Sequence, residues 1–68
     1  MITKIGIIAG DILNLLDEER ELTLSEICDS LEHQKDHILM SIGWLAREGY
    51  IIVKEENGDY KVSLRKAE

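Results

Sequence analysis

Few side chains in this 68-residue chain are of a type and spacing that do chemistry. His33 and His37 stand four apart, with Cys28, Asp29, Glu32 and Asp36 close by. Two histidines at i and i+4 on one helix can share a metal ion. Here His33 falls in a polar break before a helix, and no third ligand has a defined spacing. The reading is two surface histidines near a helix N-terminus, and no metal. Carboxylates cluster at Asp17-Glu18-Glu19 and Glu55-Glu56. Paired carboxylates catalyse when a cleft holds them and splits their pKa values, whereas these fall in polar turns. A phosphate-cradling glycine loop, a His-Glu-x-x-His pair and a nucleophile elbow are all lacking from the sequence. Neither a catalytic residue nor a cofactor is expected.

Size points the same way. One small domain spans 1–68, and a chain of this length hides only ~60% of its unfolded surface. A small-molecule pocket of ~300 Å³ would hollow out most of such a core, which argues against a stand-alone enzyme. Charge is uneven: 8 Lys+Arg against 14 Asp+Glu leave a net −6. Residues 1–34 hold two bases (Lys4, Arg20) and eight acids, and residues 35–68 hold six of each. Phosphate backbones need clustered cations, so the balance disfavours nucleic acid and anionic membrane. Cys28, the single cysteine, excludes an internal disulfide. It lies on an apolar helical stripe and reads as an inert core residue. The N-terminal apolar stretch is too short to span a bilayer. The expectation is a cytoplasmic protein with reduced thiol chemistry.

The elements that would carry these residues follow from periodicity. Ile5, Ile8, Ala9, Ile12 and Leu16 share one face of a helix over about 4–17. Thr3 is placed as its N-cap, with Ile2 and Ile7 as a hydrophobic staple. Gly6 and Gly10 each cost ~1 kcal/mol in a helix interior; either the pair admits a neighbouring backbone or Gly6 sits in a frayed first turn. Asp17–Glu21 reads as a solvated turn. Thr23 and Glu26 have capping-box spacing, with Leu22 and Ile27 at the staple positions. A short helix follows over 24–31, its stripe made of Leu24, Ile27, Cys28 and Leu31. The extended residues before it can add a strand to a sheet. After Glu32-His33-Gln34 a third helix runs over 35–48 and stops at Gly49, with Ile38, Leu39, Ile42, Leu45 and Ala46 on its apolar face. Asn57-Gly58 signals a type I′ hairpin between strands over 50–56 and 59–64. Pairing Glu56 with Asp59 sets Val53 opposite Val62 and Ile51 opposite Leu64 on one face, with Tyr60 beside them. Ile52, Lys54, Lys61 and Ser63 take the other face. The tail 65–68 reads as loose. The order is that of an α+β, mainly α, winged helix-turn-helix: three helices, a C-terminal two-stranded wing, and a short third strand before the second helix.

Two segments carry a resemblance. Ile5-Gly6-Ile7-Ile8-Ala9-Gly10-Asp11-Ile12 and Gly43-Trp44-Leu45-Ala46-Arg47-Glu48-Gly49 together resemble a small bacterial and archaeal family of stand-alone winged helix-turn-helix domains of unknown function. The likeness covers nearly the whole chain; Leu13 stands where members often carry Trp. It implies the winged-helix fold and lends no catalytic residue. DNA binding would follow from the fold name alone, and fold does not decide function.

A groove-reading third helix shows Arg, Lys, Asn, Gln or Ser to base edges. With the core arc centred near Ile42 at ~100° per residue, the outward arc holds Asp36, His37, Met40, Gly43, Trp44 and Arg47. Burying an indole is worth roughly 4–6 kcal/mol as an upper estimate, so Trp44 calls for a cover. One cover is internal, beneath the hairpin or across Gly6 and Gly10. Another is a partner surface of Met40, Trp44, His37 and Arg47 with Ile7 and Ile52, most simply in a homodimer or against another protein. Stacking on single-stranded nucleic acid is the remaining one. The expected function is a non-enzymatic module acting by protein contact through self-association. The alternative is a sequence-specific DNA-binding regulator using Lys35, His37, Met40, Ser41, Trp44 and Arg47, with Lys54 and Lys61 on the wing.

Overall fold

A computed structural model describes residues 2–65. The first helix, α1, spans Ile2–Glu19, longer at both ends than its apolar spacing predicts. Thr3 therefore lies inside the helix and is not its N-cap; the side chain of Ile2, the other half of the expected staple, is outside the described residues. Asp17–Glu19 form the last helical turn, which corrects the expected loop. Unbranched Glu is a good helix former, so a run of charge does not by itself end a helix. The end comes at Arg20, which takes a left-handed φ of 71° while its N–H donates to the Leu16 carbonyl at 2.7 Å. Ile8, Ala9, Ile12 and Leu16 are buried as expected, and Ile5 is half-buried. Nothing lies within 4 Å of where a Cβ would stand at Gly6 or Gly10, so neither glycine admits another backbone.

A three-residue strand, β1 (Glu21–Thr23), leads into α2 (Leu24–Ser30). The capping box forms: the Glu26 N–H donates to Thr23 Oγ1 at 3.1 Å and the Thr23 N–H to Glu26 Oε1 at 2.8 Å. Leu24 and Ile27 are buried, with Cys28 and Leu31 packed half-buried against the core. Cys28 is thus less enclosed than its stripe suggests. A polar break then leads into α3 (Lys35–Arg47). It closes in a Schellman motif, with Gly49 at φ 84°, the Gly49 N–H on Ala46 O at 3.1 Å and the Tyr50 N–H on Leu45 O at 3.0 Å. His33, in the break, meets Asp11 of α1 at 3.0 Å.

The hairpin strands are β2 (Ile51–Glu56) and β3 (Asp59–Leu64). Asn57 and Gly58 both take positive φ, 53° and 80°, as a type I′ turn requires. The register is the expected one, Val53 opposite Val62 and Ile51 opposite Leu64. β1 joins the far side of β3, giving the antiparallel order β1-β3-β2. Ile51 and Val62 complete the core built by the three helices. Of the tail, only Arg65 is described, and its N–H donates to Tyr50 O at 3.0 Å; 66–68 lie outside the described residues. Three helices and a three-stranded sheet in this order make an α+β winged helix.

Urea unfolding should rank two variants by these contacts. Leu45→Ala, at a wholly buried position, is expected to cost about 2–5 kcal/mol. Thr23→Ala, which removes the cap, should cost about 1 kcal/mol.

Candidate functional site

The surface of α3 is set by its rotation. The helix buries Ile38, Ser41, Ile42 and Leu45, so its inward stripe centres roughly 50° from Ile42 at 100° per residue. Ser41 is fully buried. Its hydroxyl donates to the His37 carbonyl at 2.9 Å, with the Ile5 carbonyl of α1 at 3.3 Å. This corrects two expectations. Ser41 has no hydroxyl to offer a DNA groove, and Leu39 and Ala46 are exposed instead of facing the core. A serine with Ile38, Ile42 and Leu45 at i−3, i+1 and i+4 was the available signal, because its hydroxyl can be satisfied four residues back along its own helix.

The outward side holds Met40 and Trp44, 44% and 48% exposed, beside exposed Lys35, Asp36 and Arg47 and half-buried His37. The Trp44 ring lies against Tyr50, centroids 6.4 Å apart and planes tilted by 37°. The internal cover across Gly6 and Gly10 is not the one adopted. Ile7 stands well exposed on α1, and Ile52 is exposed on β2. The structure adds Leu39, Ala46, Val53 and Tyr60, which the spacing had not marked as surface. Between α3 and the hairpin opens a groove of about 340 Å³ lined by Leu39, Gly43, Ala46, Val53 and Tyr60 above Leu24, Ile42 and Val62. Its walls are apolar, where a DNA-reading helix and wing would present donors.

Two of the hairpin's charges, Lys61 and Glu56, are engaged with each other. Lys61 Nζ sits 2.9 Å from Glu56 Oε1 and 4.0 Å from Glu21 Oε1. That hydrogen bond to Glu56 raises the Lys61 pKa and lowers that of Glu56. Lys54 faces Lys61 across the ladder. Asp59 accepts from the Ser25 hydroxyl at 2.8 Å and from the Tyr60 N–H at 2.7 Å, and these bonds, Ser25 first, hold its carboxyl below the ordinary range. His33 is occupied by Asp11, away from any shared site with His37. No helix among the described residues is long and apolar enough to cross a membrane.

The Ser25–Asp59 bond predicts a pH effect of defined sign. A carboxyl depressed by folding stabilises above the unfolded-state pKa of ~3.9, and that contribution is lost as pH falls through the folded value. In Ser25→Ala the Asp59 titration, followed by carboxyl NMR, is expected to move up toward the ordinary range. Its stability should then fall less steeply with acid than that of the parent.

No curated protein matches the chain. Residues 1–64 match the family model described as Winged helix-turn-helix domain (DUF2582). That match spans every helix and strand described above, and the chain belongs to this winged helix-turn-helix family.

Proposed function

We propose that the chain is a non-enzymatic module that works by protein contact, first of all with a second copy of itself, through the outward side of α3. Met40, Trp44, His37 and Arg47 form the centre of that surface, with Ile7 of α1 and Ile52 of β2 adding apolar area. The observation that carries this reading is the exposure of Leu39, Met40 and Trp44, each above 40%, on the helix that would otherwise read bases.

Magnitudes set the strength of such a contact. Covering the open half of an indole removes about 100 Å² from water, worth roughly 2–3 kcal/mol. In an isologous pair the gain occurs twice. Association costs about 4–15 kcal/mol, so Trp44 needs its neighbours. An ordinary interface of about 800 Å² per partner would take roughly a sixth of the 4939 Å² surface. The outcome is a modest dimer.

Charge favours the same region. The whole surplus of −6 lies in residues 1–34, while α3 and the hairpin belong to the balanced half. Two copies meeting there keep their acidic halves apart, and the residual repulsion is screened by salt. Self-association should therefore tighten as salt rises, whereas duplex binding weakens steeply.

Light scattering at about 100 μM is expected to give a mass above the monomer that grows with salt. Trp44→Ala should return it to the monomer with its circular dichroism unchanged. A parent chain that stays monomeric removes self-association. A random duplex pool shifted at low salt and released at high salt would move the case to DNA, with Lys35, His37, Arg47, Lys54 and Lys61 as the contacts.

A further inference from the structure

A cleft of about 800 Å³ opens where α1 hands over to β1 and β3 runs out. Small-molecule sites occupy ~300–1,000 Å³. This one lies at the surface over the end of the sheet, so it hollows out no part of the core. Its floor is apolar, made of Leu16, Ile52 and Leu64; Leu16 is wholly buried and Ile52 is exposed. Ser63 stands between Ile52 of β2 and Glu21 of β1 in one row across the sheet, which puts a hydroxyl beside that floor. Asp17, Arg20, Glu21 and Arg65 stand around it, all exposed. Among the described residues neither guanidinium comes within 4.0 Å of a carboxylate, and Glu21 reaches only Lys61, at the 4.0 Å limit of an ion pair. Opposite charges therefore face one cleft without closing on each other.

Arg20 differs from its neighbours in its backbone. It ends α1 at φ 71°, the left-handed position that Gly49 fills at the end of α3. A residue other than glycine carries strain there, and strain of this kind gathers at ligand clamps. What arginine adds over glycine is a guanidinium on the rim of the cleft. Arg65 is held from two sides. Its N–H donates to the Tyr50 carbonyl at 3.0 Å, and its Nη1 lies 3.4 Å from where a Cβ would stand on Gly49.

We propose that this cleft binds a short zwitterionic peptide, two or three residues long, with aliphatic side chains. The lining charges sum to zero, two guanidiniums against two carboxylates. A plain anion would meet Asp17 and Glu21, and a plain cation would meet the arginines. A ligand with a carboxylate at one end and an ammonium at the other satisfies both signs. Arg20 and Arg65 take the carboxylate, because a planar guanidinium matches its two oxygens. Asp17 and Glu21 take the ammonium. Ile52 and Leu64 take the side chains, and the Ser63 hydroxyl can donate to a peptide carbonyl or accept from a peptide N–H. One amino acid is small for about 800 Å³; two or three residues fill more of it and bring more apolar surface to the floor. The site is separate from the outward side of α3 and independent of the self-contact reading, with Ile52 alone common to both.

NMR titration of the isotope-labelled full chain with leucyl-leucine tests the site. Saturable shifts are expected at the amides of Arg20, Glu21, Ser63 and Leu64, with half-saturation at about 1 mM. N-acetyl-leucyl-leucine lacks the ammonium and leucyl-leucinamide lacks the carboxylate, and each should bind roughly tenfold more weakly. Glycyl-glycine, without apolar side chains, should weaken likewise. Absence of saturable shifts up to about 10 mM overturns the proposal, as do shifts confined to other residues. A blocked peptide that binds as tightly as leucyl-leucine also overturns it, because one sign of charge would then suffice. Arg20→Gly keeps the left-handed turn and removes the guanidinium. It should be at least as stable as the parent in urea while binding roughly tenfold more weakly. If it unfolds, Arg20→Asn, which also tolerates this φ, serves instead. Unchanged affinity in a folded Arg20 variant overturns the site.

Discussion

The rotation of α3 buries one hydroxyl, and the fold can hold that rotation only because the hydroxyl is satisfied. Ser41 sits among Ile38, Ile42 and Leu45 with none of its surface exposed. Burying an unbonded hydroxyl costs about 1–3 kcal/mol by mutational measures. The His37 carbonyl, four residues back, removes that cost within the helix itself. The bond is local, so it accompanies the helix into the core without requiring a partner elsewhere. With Ser41 turned to α1 near Ile5, Leu39 and Ala46 swing toward the hairpin, and Met40 and Trp44 face out. The apolar surface that α3 leaves exposed is a consequence of that turn.

Three polar stitches hold the elements around α3. Asp11–His33 ties α1 to the break before α3, Ser25–Asp59 ties α2 to the hairpin turn, and Lys61 links β3 to Glu56 and Glu21 on its two neighbours. Each joins segments that the sequence keeps apart or places on different strands. They also bear on function. Lys61 spends its charge inside the sheet, which leaves the wing with less cation for a phosphate. The acidic surplus stays in the first half of the chain, so α3 and the hairpin carry balanced charge and part of the exposed apolar surface.

Much of the architecture is legible in the sequence. The capping box at Thr23, the glycine stop at Gly49 and the Asn57-Gly58 turn each rest on the backbone preferences of a few adjacent residues, and all three form. The hairpin register followed because a one-residue slip would exchange the faces of Val53 and Val62. The end of α1 was not legible, because Asp17–Glu19 are as compatible with a helix as with a turn, and the stop depends on Arg20 adopting a left-handed φ.

Local chemistry, then, determined the elements, their order and the hairpin pairing, because caps, turns and periodicity act over a few residues. The tertiary structure alone decided which way α3 faces, that Trp44 rests on Tyr50 with half its surface open, and that Leu39, Val53 and Tyr60 line one groove. Periodicity names a set of apolar residues on a helix wider than the face that packing can cover. Which of them is left outside depends on the shape of the neighbours, here α1 on one flank and the hairpin on the other, and that shape exists only once the chain has folded.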